Sequence, residues 1–227
     1  MSDVKIIEVK ASILQENDSR ADDLRKELRE RGTFLLNLMG SPGSGKTTLL
    51  AKTIEMLKGE LKIGIMEADI DSDVDAKRMA EAGASSIQLH TGGMCHLDAE
   101  MTRQGLESFF ALHEKEDPFD LIILENVGNL VCPAEFDTGA SVSAALLSVP
   151  EGDDKPLKYP LMFQVCDAVL VSKTDTLPYF DFDMERFEKA AKMRNPKLEI
   201  IPLCAHTGEG MEEWIRWLKA RVAGWKN

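Results

Sequence analysis

The stretch Gly40-Ser41-Pro42-Gly43-Ser44-Gly45-Lys46-Thr47 fits G-x-x-x-x-G-K-[ST] and stands between an apolar run and an amphipathic run. That placement demands a strand–loop–helix unit. Thr33-Phe34-Leu35-Leu36-Asn37-Leu38-Met39 reads as a buried strand, and Leu50, Ile54 and Leu57 recur at helical spacing after the loop. The glycines let backbone N–H groups turn inward around a phosphate chain, Lys46 reaches the terminal phosphates, and the Thr47 hydroxyl holds Mg²⁺. The following helix presents its positive dipole end to the same anion. The expected ligand is a nucleoside triphosphate in contact with residues Gly40 to Thr48.

Beyond this loop, apolar and amphipathic segments alternate. Strands are predicted at Thr33–Met39, Leu61–Met66, Ser86–Thr91, Asp120–Leu124, Ala144–Val149, Ala168–Val171 and Glu199–Leu203, with helices following Lys46, Asp75, Cys95, Met184 and Met211. This is the pattern of an α/β fold with a mostly parallel sheet covered on both faces, the P-loop NTPase arrangement. Residues 1–32 read as a charged extension carrying a peripheral helix around Leu24 and Leu28, and residues 33–227 as one domain. Glu151–Pro160 reads as an exposed loop, and Trp214, Ile215, Leu218 and Val222 mark one face of a C-terminal docking helix. A length of 227 residues suits one such domain. The net charge of −12, from 27 basic and 39 acidic residues, argues against nucleic-acid and anionic-membrane partners. No run is long enough to cross a bilayer and no signal-peptide core opens the chain, so a cytoplasmic protein is expected. Four scattered cysteines do not make a disulfide framework.

In a parallel sheet, ligands gather beyond the carboxyl ends of the strands, and every chemical motif here follows a predicted strand. The acidic run Glu67–Asp75 fails as a calcium loop, because Val74 and Ala80 occupy the positions of its glycine and bidentate glutamate. A loop facing Mg²⁺ fits better, with Asp69 on the metal side and Asp75 orienting the attacking water; a solvated acidic turn is the plain alternative, above all for Asp71 and Asp73. Leu121-Ile122-Ile123-Leu124-Glu125 is an apolar strand ending in a carboxylate, the usual second Mg²⁺ element, and the Gly128 N–H can sense the γ-phosphate. In Ser172-Lys173-Thr174-Asp175, the Asp175 carboxylate can accept from both N–H groups of guanine while the Lys173 stem lies across the base. Cys204-Ala205 then offers a backbone donor to the guanine oxygen.

Cys95 and His96 are adjacent at the predicted start of a helix, after Gly92-Gly93, and Cys132 follows the Glu125 strand. Thiolate and imidazole suit Zn²⁺ or Ni²⁺. Three ligands imply an open site or one completed by a second copy. Core packing is the plain reading of a free cysteine, and it is preferred for Cys166 and Cys204, as a structural role is for His90 and His113.

Together these motifs resemble the hydrogenase nickel-incorporation GTPases of the HypB family, within the SIMIBI class. The resemblance runs from about Val4 to the C-terminal helix. It is carried by Asn37–Met39 leading into Ser41–Thr48, by Thr91-Gly92-Gly93 with Cys95–Ala99, by Glu125–Asp137 and by Glu151–Pro160. It implies a GTPase that forms a GTP-dependent homodimer and delivers nickel to the hydrogenase large subunit together with a nickel-binding accessory protein. It also implies a metal site at Cys95, His96 and Cys132 coupled to the nucleotide. Residues 1–32 contain neither Cys nor His, Ser172 stands for the usual Asn, Cys204 for a usual Ser, and Met94 for a common glycine. A P-loop small-molecule kinase and a passive nickel- or zinc-binding protein are the competing readings. The kinase needs an arginine-rich lid that the sequence does not show, and the passive protein does not need the complete Lys46-Thr47 chemistry.

Overall fold

The computed structural model describes residues 9–69, 82–115 and 117–226. Helix α1 (Val9–Arg31) leads into strand β1 (Phe34–Gly40) and helix α2 (Lys46–Leu57), then β2 (Ile63–Asp69) and β3 (Ser85–His90). Helix α3 (Ala99–Leu112), β4 (Leu121–Glu125), the short helix α4 (Cys132–Glu135) and β5 (Val142–Ser148) follow. Short helices α5 (Lys155–Lys158) and α6 (Pro160–Val165) precede β6 (Ala168–Ser172), α7 (Met184–Arg194), β7 (Glu199–Pro202) and α8 (Met211–Trp225).

The seven strands form one sheet in the order β3-β2-β4-β1-β5-β6-β7, every pair parallel. Strands β1 and β6 are buried along their whole length, which is why they read as unbroken apolar runs rather than alternating ones. Chain order reverses at β1, which lies between β4 and β5, so the loop after β1 opens at the switch point.

Both faces are covered. Leu36 and Leu38 pack with Leu50 and Ile54 of α2 and with Trp214 and Leu218 of α8. The Trp214 indole N–H donates to Thr53 Oγ1 at 2.9 Å, satisfying a polar atom inside that layer. On the other face, Leu35, Ile122 and Leu124 pack with Leu24 and Leu28 of α1 and with Leu106 and Phe109 of α3. Met39, Leu147 and Val171 meet Phe163 of α6 and Phe187 of α7. Among the described residues, no helix is long and apolar enough to cross a membrane.

Three local expectations change. Strand β2 runs on to Asp69, because Glu67, Ala68 and Asp69 pair with Gln88, Leu89 and His90 of β3; the acidic run therefore begins inside the sheet. Glu151–Pro160 is not an exposed loop. Ser148 and Glu151 form a reciprocal cap, α5 and the start of α6 fill the segment, and Asp153 is buried, accepting from Arg186 Nε at 2.9 Å and Nη2 at 2.5 Å. Finally, Cys95 and His96 precede the helix rather than start it. The first turn of α3 is capped by Asp98, whose Oδ1 accepts from Met101 N at 2.8 Å, so the chain can only enter the helix at Ala99. The expected helix after Asp75 lies outside the described residues.

Candidate nucleotide and metal site

The loop after β1 surrounds its own lysine. Lys46 Nζ donates to Gly40 O at 3.1 Å and Ser41 O at 3.3 Å, and stands 4.0 Å from Glu125 Oε1. The loop is held from outside by β6 and the turn beyond it. Ser172 Oγ donates to Ser44 O at 2.7 Å, and Lys173 Nζ donates to Gly43 O at 2.7 Å. Lys173 adopts the left-handed conformation with φ of 58°, the one described non-glycine residue to do so.

These groups border a cleft of about 560 Å³. Pro42, Gly43, Gly45, Lys46, Thr47 and Thr48 form one wall, and Glu67, Glu125, Asn126, Val127 and Gly128 the other, with Lys173 at the rim. Of the residues expected around the phosphate chain, Pro42, Gly43, Gly45, Lys46, Thr47 and Thr48 thus share this cleft with the carboxylate Glu125, whereas Gly40, Ser41 and Ser44 are not in its lining. Gly128 lies against the phosphate loop, where a Cβ would come within 3.0 Å of Pro42 Cγ. Gly40 and Asn129 also form a backbone bridge, so the loop after β4 touches the phosphate loop twice. Asp69 ends β2 at the same edge, and Asp71, Asp73 and Asp75 lie outside the described residues.

Glu67 was missed by the sequence reasoning. It is only 3% exposed, pairs in register with Glu125, and lines the same cleft as Lys46. The hard oxygen donors of Thr47 and Glu125 on one cleft match what Mg²⁺ takes.

The expected base-reading residues also converge. Asp175 is exposed on the turn after β6, and its Oδ1 accepts from the Cys204 thiol at 3.1 Å. Cys204 is buried at the end of β7, its Sγ accepts from Thr207 N at 3.4 Å, and Ala205 follows half-buried.

The second cluster lies beyond β3 and β4. Gly92 and Gly93 both have positive φ, 63° and 90°, and close a turn in which Thr91 Oγ1 donates to Met94 O at 2.9 Å. This turn delivers Cys95, exposed, and His96, half-buried. Cys95 Sγ is 3.8 Å from His96 Nδ1. The imidazole stacks on Phe136 with centroids 3.9 Å apart and rings 9° from parallel. Burial lowers the His96 pKa, against the opposing pull of Asp98 and Glu135. Cys132 opens α4, and hydrogen bonding to the Cys95 thiol, then burial, pushes its thiol pKa up. The three expected ligands therefore share one surface. Among the described residues, however, no three His, Cys, Asp or Glu side chains stand in a ligating arrangement. Cys166 and Cys204 are buried, His90 ends β3 and His113 closes α3, apart from this cluster.

Helix α1 grips the same region. Asn17 Oδ1 accepts from Ala99 N at 3.0 Å, and Asn17 Nδ2 donates to Asp137 O at 2.9 Å. Arg25 donates to both carboxylate oxygens of Asp137, at 2.5 and 2.6 Å.

A parallel sheet with this loop at its switch point is the P-loop nucleotide-binding fold of the SIMIBI class. The profile of the CobW/HypB/UreG nucleotide-binding domain matches residues 34–202. The hydrogenase maturation factor HypB of Azotobacter chroococcum mcd 1 is 44% identical over 219 residues, covering 96% of this chain and 70% of that protein. The crystal structure of Helicobacter pylori HypB in complex with nickel matches with a TM-score of 0.86 and 35% identity over 92% of this chain and 96% of the other. HypB of Archaeoglobus fulgidus matches with a TM-score of 0.83 and 40% identity, over 92% of this chain and all of the other. The chain belongs to the HypB family of hydrogenase maturation factors, a branch of the CobW/HypB/UreG P-loop proteins.

Proposed function

We propose that this protein is a GTP-hydrolysing metallochaperone that assists nickel insertion into the large subunit of a [NiFe]-hydrogenase, working with a nickel-binding accessory protein. Residues Gly40 to Thr48 and Gly128 hold the phosphates, with Lys46 as the principal charge. Thr47, Asp69 and Glu125 hold Mg²⁺, which neutralises phosphate charge when bound. Lys173, Asp175, Cys204 and Ala205 select guanine. Asp75 orients the attacking water. Cys95, His96 and Cys132 take nickel or zinc as cargo, and a second copy completes that site in the GTP-bound homodimer.

The observation that carries the reading is adjacency: Glu125, the last residue of β4, and Gly128 in the loop after it line the cleft, and that loop ends at Cys132, the first residue of α4. Large apolar side chains flank both thiols, with Met94 43% and Val131 49% exposed, which supports a partner surface there. The nickel complex of the Helicobacter pylori relative supports the choice of metal.

The test measures phosphate release from GTP and from ATP with no added acceptor, alongside metal content of the wild type, Cys95→Ala and Cys132→Ala. The reading expects GTP-selective release and loss of bound metal in both variants. Release only with an added acceptor would assign a kinase instead. Metal bound without any nucleotide affinity would assign a passive binding protein.

A further inference from the structure

Between the cleft and the imidazole stands one buried amide. Asn126 is 1% exposed, follows Glu125 directly and lines the nucleotide cleft. Its side-chain carbonyl accepts from Leu97 N at 3.3 Å and from Val127 N at 2.9 Å. Both partners are backbone donors, so this end of the amide must be the oxygen. The opposite end donates to Asn37 Oδ1 at 3.1 Å, and Asn37 Nδ2 lies 3.4 Å from Ser143 Oγ. The amide plane is thus fixed by β1 on one side and by the residue after His96 on the other. Its backbone N–H donates to Leu38 O at 2.9 Å, which ties the same residue to the strand that feeds the phosphate loop.

A rigid side chain with contacts on both sides transmits a shift instead of absorbing it. When the loop after β4 moves against the phosphate loop, Asn126 moves with it. The Leu97 amide must follow or lose its acceptor inside the protein, where an orphaned N–H is disfavoured. His96 is bonded covalently to Leu97 and its ring is seated on Phe136, so displacement of Leu97 alters where the imidazole sits relative to Cys95 and Cys132. We propose that Asn126 is a positioning residue that reports nucleotide state to His96, independently of the chain path from Glu125 to Cys132. This inference rests on the coupled nucleotide and metal sites of the reading above.

The experiment titrates Zn²⁺ into the full chain loaded with GDP or with a nonhydrolysable GTP analogue, for the wild type, Asn126→Ala and Asn126→Asp. The wild type is expected to show a ratio of metal affinities between the two states of roughly 5- to 150-fold. Asn126→Ala is expected to bring that ratio towards one; because Asn126 lines the cleft, nucleotide affinity is measured on the same samples and each metal titration is run at saturating nucleotide. Asn126→Asp keeps the acceptor for Leu97 but loses the donor to Asn37, and is expected to give a ratio between those of the wild type and Asn126→Ala. Amide exchange at Leu97 in the wild type, which needs no variant to fold, is expected to differ between the two nucleotide states. A wild-type ratio of one would defeat the coupled reading itself and this inference with it. A clear wild-type ratio that survives Asn126→Ala, or Leu97 exchange indifferent to nucleotide, would overturn the inference alone.

Discussion

Ser172→Ala removes one atom and tests how the phosphate loop is held. Ser172 is 5% exposed and Ser44 is fully buried, so the 2.7 Å bond from Ser172 Oγ to Ser44 O lies away from water. Deleting the donor leaves the Ser44 carbonyl without that partner, a loss of about 1–3 kcal/mol. With a urea dependence of about 2 kcal/mol per molar, the unfolding midpoint should fall by about 0.5–1.5 M. Ser44 sits in the loop that cradles phosphate, so part of the loss reappears as ordering that the ligand must now impose. If about 1 kcal/mol is transferred, affinity for GTP falls about fivefold. Urea unfolding followed by circular dichroism, with nucleotide titration on the same samples, reads both effects. A midpoint within about 0.1 M of wild type, corresponding to about 0.2 kcal/mol, would refute the claim that β6 holds the loop through this hydroxyl.

Other outcomes follow from single contacts. Gly40→Ala places a Cβ 2.6 Å from Leu146 O, a backbone atom that cannot yield, and should lower stability by about 2 kcal/mol or more and abolish tight nucleotide binding; Gly224→Ala, with nothing within 4 Å, should leave both close to wild type in the same assays. Burial raises the Asp120 pKa, but this is outweighed by the Lys226 ammonium and the Lys62 N–H, which hold the carboxyl below its usual range. A lowered folded-state pKa stabilises above the unfolded value and loses that contribution as pH falls through the folded value. Asp120→Asn should therefore be less stable than wild type at neutral pH, and the gap should close on acidification below about pH 4, as seen by unfolding at a series of pH values. Native thiol labelling should modify Cys95, which is exposed, and spare Cys166, whose fully buried thiol is pushed far up by desolvation; denaturant should release all four cysteines.

Much of the architecture is legible in the sequence because the sheet is buried on both faces. Runs such as Leu121–Leu124 and Ala168–Val171 are apolar throughout, as a strand covered on both faces requires, and the helical patterns between them point to a parallel sheet. The phosphate loop is legible because its glycines and Lys46 serve one local geometry. The start of α3 was misplaced because Gly92-Gly93 draws attention, whereas Asp98 was the capping signal. Glu67 needed pairing information, since its place beside Glu125 follows from the β2–β4 register and from nothing local. Asn126 and Asn17 could not be singled out, because a buried asparagine with every group bonded has the same letter as a solvated one. The contact from Asn17 to Asp137 spans 120 positions, beyond the reach of any local pattern.

The account stands on linkage between the phosphate loop and the Cys95–His96–Cys132 surface through the segment after β4. The most direct measurement is the wild-type affinity for Ni²⁺ by equilibrium titration, with GDP and with a nonhydrolysable GTP analogue. The account predicts two different dissociation constants, and by reciprocity a matching nickel-dependent change in nucleotide affinity. Identical dissociation constants in the two states would contradict it.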